Sequence, residues 1–304
     1  MDSDSTAELA PEWEQWIVSN IERGVPLAKL IEAMVRKDFD LVAATNAVVA
    51  LAPGALLADG SQFGAMVVPA YKYPIPAGFE AHYDNYGYAP SRIAADNTIL
   101  IDDHEVRVLG RLEEPDIVML DNVLSAAECD ELIALSRPKL EPSTIVENNT
   151  GAVKVIAERS SEGTFFQRGE NPLVARIESR LAKLMKLPLD NGEGLQILHY
   201  ATGAEYRPHY DFFAPENSGS AVHLRKGGQR VATLVLYLND VDSGGETVFP
   251  ELDFSVTPRK GGAVFFSYCD AAGKLDRLTL HGGAPVRRGE KWIATKWVRR
   301  DAYH

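Results

Sequence analysis

The chain has 304 residues, of which 45% are apolar, so it is long enough to bury a large core. Its formal net charge of -12 argues against general affinity for nucleic acid or an anionic membrane, and no segment approaches the roughly 20 apolar residues of a membrane helix. With only Cys129 and Cys269 it has neither a disulfide framework nor a thiolate metal site, and residues 1–14 do not resemble a secretory signal. These features predict a cytoplasmic protein without nucleic-acid or membrane partners.

The first 51 residues predict a small helical bundle. Pro11 is suited to open a helix, and the apolar residues from Trp13 to Ile21 recur at helical spacing; two further helices are predicted over 26–37 and 40–51. No candidate catalytic residue falls here, so docking or dimerisation and plain packing are both open, as is the oligomeric state. Residues 52–97, rich in Pro, Gly, Ala and Tyr, predict an irregular connector.

The third segment, residues 98–304, predicts an α+β domain. Ser125 with Glu128 forms a capping box for one helix, and Asn171 caps a second. Short strands are predicted at 99–101, 106–109, 117–120, 195–200, 230–238, 247–249, 263–266, 278–281 and 292–298. Many short strands separated by Gly and Pro predict a double-stranded β-helix, a jelly roll of the cupin type, with supporting helices.

A metal site is predicted from three residues. His209 and Asp211 are two positions apart, which on an extended chain places both side chains on one face. His281, at the end of a later predicted strand, would complete the two-imidazole, one-carboxylate triad of Fe(II) oxygenases, which leaves coordination positions open. The same tripeptide at His82-Tyr83-Asp84 has no strand pattern around it and is predicted to be a surface or packing element.

Lys291 is the second chemical signal. It lies ten positions after His281 and begins an apolar strand, so its ammonium is either solvated at the strand end or buried. A buried, unpaired ammonium costs several kcal/mol and therefore needs an anion. The carboxylate of a cosubstrate bound beside the metal would supply one.

Five stretches together resemble the catalytic domain of prolyl 4-hydroxylases. They are residues 195–200 (LQILHY), 206–212 (YRPHYDF), 230–238 (RVATLVLYL), 244–250 (GGETVFP) and 281–297 (HGGAPVRRGEKWIATKW). The resemblance extends over about residues 115–301. Their order and spacing make a chance match very improbable.

The resemblance implies specific roles for individual residues. His209, Asp211 and His281 would bind the iron, and together with Lys291, which would bind the distal carboxylate of 2-oxoglutarate, they would form the catalytic set. Three further residues would contact the cosubstrate: Tyr200, Thr247 and Trp297. The substrate groove would be lined by Arg159, Ser161, Glu193, Tyr206 and Arg230. Fe(II), 2-oxoglutarate and O2 are the implied cofactor and cosubstrates, with ascorbate as a stimulant.

The function so implied is hydroxylation of an unactivated C–H bond, foremost at C4 of prolyl residues in a peptide or protein, with release of succinate and CO2. Three alternatives remain: the same chemistry on a free amino acid or a non-prolyl residue, a non-catalytic oxygen-sensing or binding module, and a divalent-metal hydrolase. Two features bear on the substrate. Arg299 stands where the family often has a histidine, and the loop 214–228 is predicted to be a mobile lid over the groove.

Overall fold

The computed structural model of the protein describes residues 10–22, 25, 27–37, 39, 43–44, 47–48, 51, 86–143, 145–146, 153–154 and 160–304. The chain forms two compact units, Met1–Ala70 and Tyr71–His304. None of the helices in these described ranges has both the length and the apolar character that a membrane span requires.

The first unit is helical where it is described. Helix α1 spans Pro11–Glu22 and helix α2 spans Leu27–Val35. Ile17 and Met34 are fully buried in a small core that the two helices share. Most of the third predicted helix lies outside the described residues, as does the connector up to residue 85. The division at residues 51 and 97, and a docking role for the bundle, stay predictions.

Within its described residues, the second unit contains three α-helices and 17 strands, all of which pair antiparallel. The helices are α3 (Ala126–Ser136), α4 (Pro172–Met185) and α5 (Ser220–Leu224). The strands are β1 (Thr98–Ile101), β2 (His104–Leu112), β3 (Ile117–Asp121), β4 (Glu141–Pro142), β5 (Ile145–Val146), β6 (Val153–Lys154), β7 (Glu162–Phe166), β8 (Leu195–Tyr200), β9 (Tyr206–His209), β10 (Arg230–Tyr237), β11 (Ser243–Gly244), β12 (Thr247–Phe249), β13 (Phe254–Val256), β14 (Ala263–Ser267), β15 (His281–Gly283), β16 (Val286–Arg288) and β17 (Lys291–Arg299).

Two sheets form the framework of this unit. The larger has nine strands in the order β1-β2-β3-β14-β10-β17-β8-β7-β4, and the smaller has four in the order β13-β12-β15-β9. The pairs β11-β16 and β5-β6 are separate. Two antiparallel sheets with helices packed on one of them confirm the predicted α+β jelly roll.

Strand β10 shows how the chain separates two cores. Leu234 and Leu236 point to the outer face of the nine-stranded sheet, where they pack with residues of α3 and α4 such as Leu132 and Ile177. Val235 and Tyr237 point to the opposite, inner face and join a cluster that includes residues of the smaller sheet. The chemistry described below lies on this inner face.

Local sequence explains the two supporting helices. The Ser125 hydroxyl accepts a hydrogen bond from the Glu128 backbone N–H at 3.2 Å, and the Glu128 carboxylate accepts one from the Ser125 N–H at 2.9 Å, so the predicted capping box is confirmed. Asn171 caps α4 through the Val174 N–H at 2.9 Å. Arg180 of α4 then binds both carboxylate oxygens of Glu128, at 2.8 and 3.0 Å, which joins the two helices.

One predicted strand is wrong. Residues 278–281 were expected to be extended, but Arg277–Thr279 form a 3-10 turn, and β15 begins only at His281. The Asp276 carboxylate accepts a hydrogen bond from the Leu278 N–H at 3.0 Å, which favours the turn over a strand.

Candidate metal and cosubstrate site

Two short strands and one turn bring the three predicted metal ligands together. His209 ends β9 and pairs directly with His281, which begins β15. Asp211 follows two residues after His209, in the turn beyond the strand, so the turn rather than a continuous strand aims its carboxylate. One ligand atom from each residue lies within 4.8 Å of the others, and no second such group of three His, Cys, Asp or Glu occurs in the described part of the chain.

Each imidazole is oriented by a backbone carbonyl. Nδ1 of His209 lies 2.9 Å from the Arg207 carbonyl oxygen, and Nδ1 of His281 lies 2.9 Å from that of Thr279. A carbonyl only accepts, so Nδ1 carries the proton and Nε2 presents its lone pair to the site. Nε2 of His209 and of His281 lie 3.7 and 3.5 Å from the Asp211 carboxylate.

The electrostatics of the site favour a divalent cation. Burial lowers the pKa of His281 to about 4 against the opposing effect of Asp211, so its imidazole is neutral near pH 7. Burial alone would raise the pKa of Asp211, but His281, His209 and Arg230 outweigh burial and hold that pKa below its ordinary value. An ionised carboxylate beside imidazole nitrogens is the donor set of a facial-triad iron site, so these residues fit the metal.

Two buried hydroxyls, from Thr233 and Tyr268, support the Asp211 side chain. Thr233 donates to Asp211 Oδ2 at 2.7 Å, and the Tyr268 hydroxyl lies 3.0 Å from Thr233 Oγ1. The backbone carbonyl of Asp211 accepts a further bond from Arg230 at 3.2 Å. Sequence reasoning missed Thr233 and Tyr268, because their pattern is that of ordinary strand residues.

Lys291 is buried, and its ammonium forms no ion pair with the described residues. Only 2% of it is exposed, and no described residue forms a hydrogen bond or ion pair with its ammonium group. The Nζ atom lies 5.5 Å from the ring centroid of Tyr200, which stands opposite it in β8, and 6.0 Å from that of Tyr237. Burial lowers the pKa of Lys291 to about 8, although Glu246 acts in the opposite direction.

The ammonium of Lys291 lies next to β15, the strand that begins at the candidate ligand His281. A Cβ atom added to Gly283, two residues after His281 in β15, would lie 3.7 Å from Lys291 Nζ. A buried ammonium without an anion, beside a candidate metal site, fits an acidic cosubstrate such as 2-oxoglutarate.

The three predicted cosubstrate contacts surround the same inner face. Tyr200 is paired with Lys291 in the sheet, and the hydroxyl of Thr247 accepts a hydrogen bond from Tyr237 at 2.8 Å. Trp297 lies farther along β17, opposite Thr233, and its ring contacts the Arg230 guanidinium, centred 3.9 Å away. Their roles toward a cosubstrate stay predictions.

Two of the predicted groove residues, Arg230 and Glu193, form an ion pair beside Asp211. Arg230 binds both carboxylate oxygens of Glu193, at 2.7 and 2.9 Å. Arg299, which stands where the family often has a histidine, donates to the same carboxylate at 2.6 Å. These two arginines outweigh burial and lower the pKa of Glu193, so it stays ionised.

The other predicted groove residues are more dispersed. The ring of Tyr206 stacks on His209 with centroids 3.7 Å apart, which places it at the metal site. Ser161 is buried and donates to the Ser143 hydroxyl at 2.9 Å. Arg159 lies outside the described residues, as does the second His-Tyr-Asp tripeptide at 82–84.

The loop 214–228 is tied to the rest of the domain. Arg299 donates to the carbonyl oxygens of His223 and Gly228, at 3.1 and 2.7 Å, and Glu216 pairs with Arg277. The side chain of Gln229 closes the base of the loop by bonding both backbone groups of Phe213, at 2.8 and 2.7 Å. That the loop opens and closes as a lid stays a prediction.

Comparison with known proteins finds a matching family model and several similar relatives. Residues 195–299 match the family model for the 2OG-Fe(II) oxygenase superfamily. The chain is 41% identical over 209 residues to probable prolyl 4-hydroxylase 3 of Arabidopsis thaliana, which covers 62% of this chain and 71% of the relative. It is 42% identical over 203 residues to prolyl 4-hydroxylase 5 of the same plant, with coverage of 60% and 68%. Among solved structures, the viral collagen prolyl hydroxylase of Paramecium Bursaria Chlorella virus-1 aligns with 33% identity and a TM-score of 0.49, covering 60% of this chain and 95% of that one.

Proposed function

Because the chain belongs to the prolyl 4-hydroxylase family of 2-oxoglutarate- and Fe(II)-dependent oxygenases, we propose that it hydroxylates prolyl residues of a peptide or protein at C4. The observation that carries the proposal is one inner face that holds both a His-Asp-His cluster and a buried lysine that forms no ion pair with the described residues. The oxygenase activity follows from the family. The prolyl substrate rests on the relatives named above.

The chain's own residues supply binding and orientation. His209, Asp211 and His281 would hold Fe(II), with the imidazole Nε2 atoms fixed by the backbone carbonyls that engage Nδ1. When bound, Fe(II) with 2-oxoglutarate and O2 supplies the oxidising chemistry that converts a C–H bond to C–OH, with release of succinate and CO2.

Lys291 would neutralise the distal carboxylate of 2-oxoglutarate. At roughly 4 Å and an effective dielectric constant of about 20, such a pair is worth about 4 kcal/mol, against about 0 to 1 for an exposed pair. Tyr200 and Thr247 would add hydrogen bonds to the cosubstrate, with Thr247 oriented by Tyr237. Trp297 would form one side of the cosubstrate pocket.

The substrate groove would run past the Glu193–Arg230 pair, with Tyr206 beside His209. Ser161 and Arg159 complete the proposed lining. Arg230 donates to the Asp211 carbonyl, so the groove and the metal site share one hydrogen-bonded framework. The loop 214–228, proposed as a lid, would cover this groove, and the family's peptide-acting members make a peptide or protein the proposed partner.

We also propose a cytoplasmic location and stimulation by ascorbate.

The test is succinate formation from 2-oxoglutarate with Fe(II), with and without ascorbate, in the presence of proline-rich peptides. Mass spectrometry should find one added oxygen on proline, and the same peptide with alanine in place of proline should remain unchanged. Free L-proline provides a parallel arm. Succinate without an oxygenated prolyl residue would retain the oxygenase and overturn the prolyl peptide assignment.

A further inference from the structure

We propose that Thr233 and Tyr268 form a hydrogen-bond relay that positions the Asp211 carboxylate so that Oδ1 binds the metal. The inference deepens the proposed function and rests on it. The two residues come from neighbouring parts of the nine-stranded sheet: Thr233 lies in β10, and Tyr268 follows β14.

The direction of each hydrogen bond in the relay follows from which groups carry a proton. An ionised carboxylate can only accept, so Thr233 donates its single hydroxyl proton to Asp211 Oδ2 at 2.7 Å. The 3.0 Å contact between the two hydroxyls therefore has Tyr268 as donor and Thr233 as acceptor. Both residues are fully buried, with 0% exposure, so no bulk water competes for these bonds.

The relay distinguishes the two oxygens of Asp211. Each lies near one imidazole, Oδ1 at 3.7 Å from His209 Nε2 and Oδ2 at 3.5 Å from His281 Nε2, so distance alone does not separate them. Only Oδ2 accepts a hydrogen bond from a side chain in the described part of the chain. Oδ1 is therefore the oxygen whose lone pairs can coordinate a cation.

Holding the carboxylate has a direct chemical consequence. The terminal torsion of an aspartate is broad, so an unsupported Asp211 side chain would rotate between orientations. A carboxylate whose second oxygen is engaged binds a metal through one oxygen and leaves more of the coordination sphere open to other ligands. Outer hydrogen-bond partners of this kind typically change metal affinity by about 10- to 100-fold.

The experiment measures Mn(II) affinity of the whole chain by the loss of the free-ion EPR signal on titration, with no cosubstrate and no turnover. Thr233→Val keeps the shape of the side chain and removes the hydroxyl, and we expect Mn(II) affinity to fall by about 10- to 100-fold. Thr233→Ser keeps the hydroxyl and should bind Mn(II) nearly as wild type does. Tyr268→Phe should give a smaller loss, because Thr233 can still donate to Asp211.

A matched control separates positioning from general stability. Ser136→Ala removes another fully buried hydroxyl, one that donates to the Leu132 carbonyl in α3 rather than toward Asp211, and should leave Mn(II) affinity unchanged. Equal affinity in Thr233→Val and wild type would overturn the relay, as would equal losses in the Val and Ser variants. Failure of the wild-type protein to bind Mn(II) would instead overturn the proposed metal centre.

Discussion

Strand β17 carries two buried lysines that differ in their surroundings. Lys291 and Lys296 each expose 2% of their surface, but they are five positions apart and therefore point to opposite faces of the sheet. On the outer face, Lys296 binds the Glu178 carboxylate at 2.5 Å and also donates to the Glu193 carbonyl. On the inner face, Lys291 has no such partner in the described part of the chain.

The difference shows how a structural charge is distinguished from a functional one. A buried ion pair satisfies its own charges and joins two elements, here α4 and β17. A buried ammonium without an anion is costly for the protein alone, and it becomes favourable only when a ligand supplies the missing charge. We therefore assign Lys296 to the fold, and the surroundings of Lys291 support its proposed role in cosubstrate binding.

The largest expected effect on stability comes from breaking the satisfied pair. Lys296→Met leaves the Glu178 carboxylate buried without its cation, and we expect the free energy of unfolding to fall by about 3–5 kcal/mol. Urea denaturation measures this change. Adding Glu178→Gln to the same protein removes the unpaired charge and should restore part of the loss, and no change in the single variant would contradict the structural role of Lys296.

Replacing Lys291 on the inner face should weaken the binding of 2-oxoglutarate rather than lower the free energy of unfolding. Lys291→Met removes an unpaired ammonium, so stability should stay the same or rise, while the 2-oxoglutarate interaction loses up to about 4 kcal/mol, roughly a thousandfold in affinity. Calorimetric titration of 2-oxoglutarate with Mn(II) present measures the affinity. An Lys291→Met protein that binds the cosubstrate as tightly as wild type would remove Lys291 from the site.

A smaller expected effect is proton uptake by Lys291 when 2-oxoglutarate binds. The pKa of Lys291, lowered by burial to about 8, leaves the amine partly neutral at pH 8–9, and a bound carboxylate favours its charged form. Binding of 2-oxoglutarate at pH 9 should therefore take up protons, and affinity should weaken as pH rises above about 8. Titrations in buffers of different ionisation enthalpy detect the uptake. Lys291→Met should show none.

The lowered pKa of Lys291 also makes the stability of the ligand-free protein depend on pH. The folded-state pKa of Lys291 is lower than the ordinary value of 10.5, so the unfolded chain binds more protons between about pH 8 and that value. This residue therefore raises the stability of the ligand-free protein as pH increases through that window. Lys291→Met should remove that contribution.

Short-range patterns predicted much of the site. The His209-x-Asp211 spacing and His281 predicted a cluster that the structure brings together, and the predicted burial of Lys291 is present; their roles toward metal and cosubstrate stay predictions. The alternating strands and the two capped helices predicted the jelly roll.

Long-range contacts could not be predicted in this way. The burial of Lys296 in an ion pair could not be predicted, because its partner Glu178 lies 118 residues away on α4. Thr233 has the pattern of a strand residue, and only the fold brings its hydroxyl to Asp211.

The turn at Arg277–Thr279 depends on the side chain of Asp276, a local interaction that the apolar pattern does not reveal.

The central claim is that the His-Asp-His cluster and Lys291 form a single site for metal and cosubstrate. Its most direct test is the affinity of the wild-type protein for 2-oxoglutarate with and without Mn(II), together with its affinity for Mn(II) with and without 2-oxoglutarate. We predict that each ligand tightens the binding of the other by the same factor, as linkage requires of two ligands that meet in one site. Affinities that are independent of one another would contradict it.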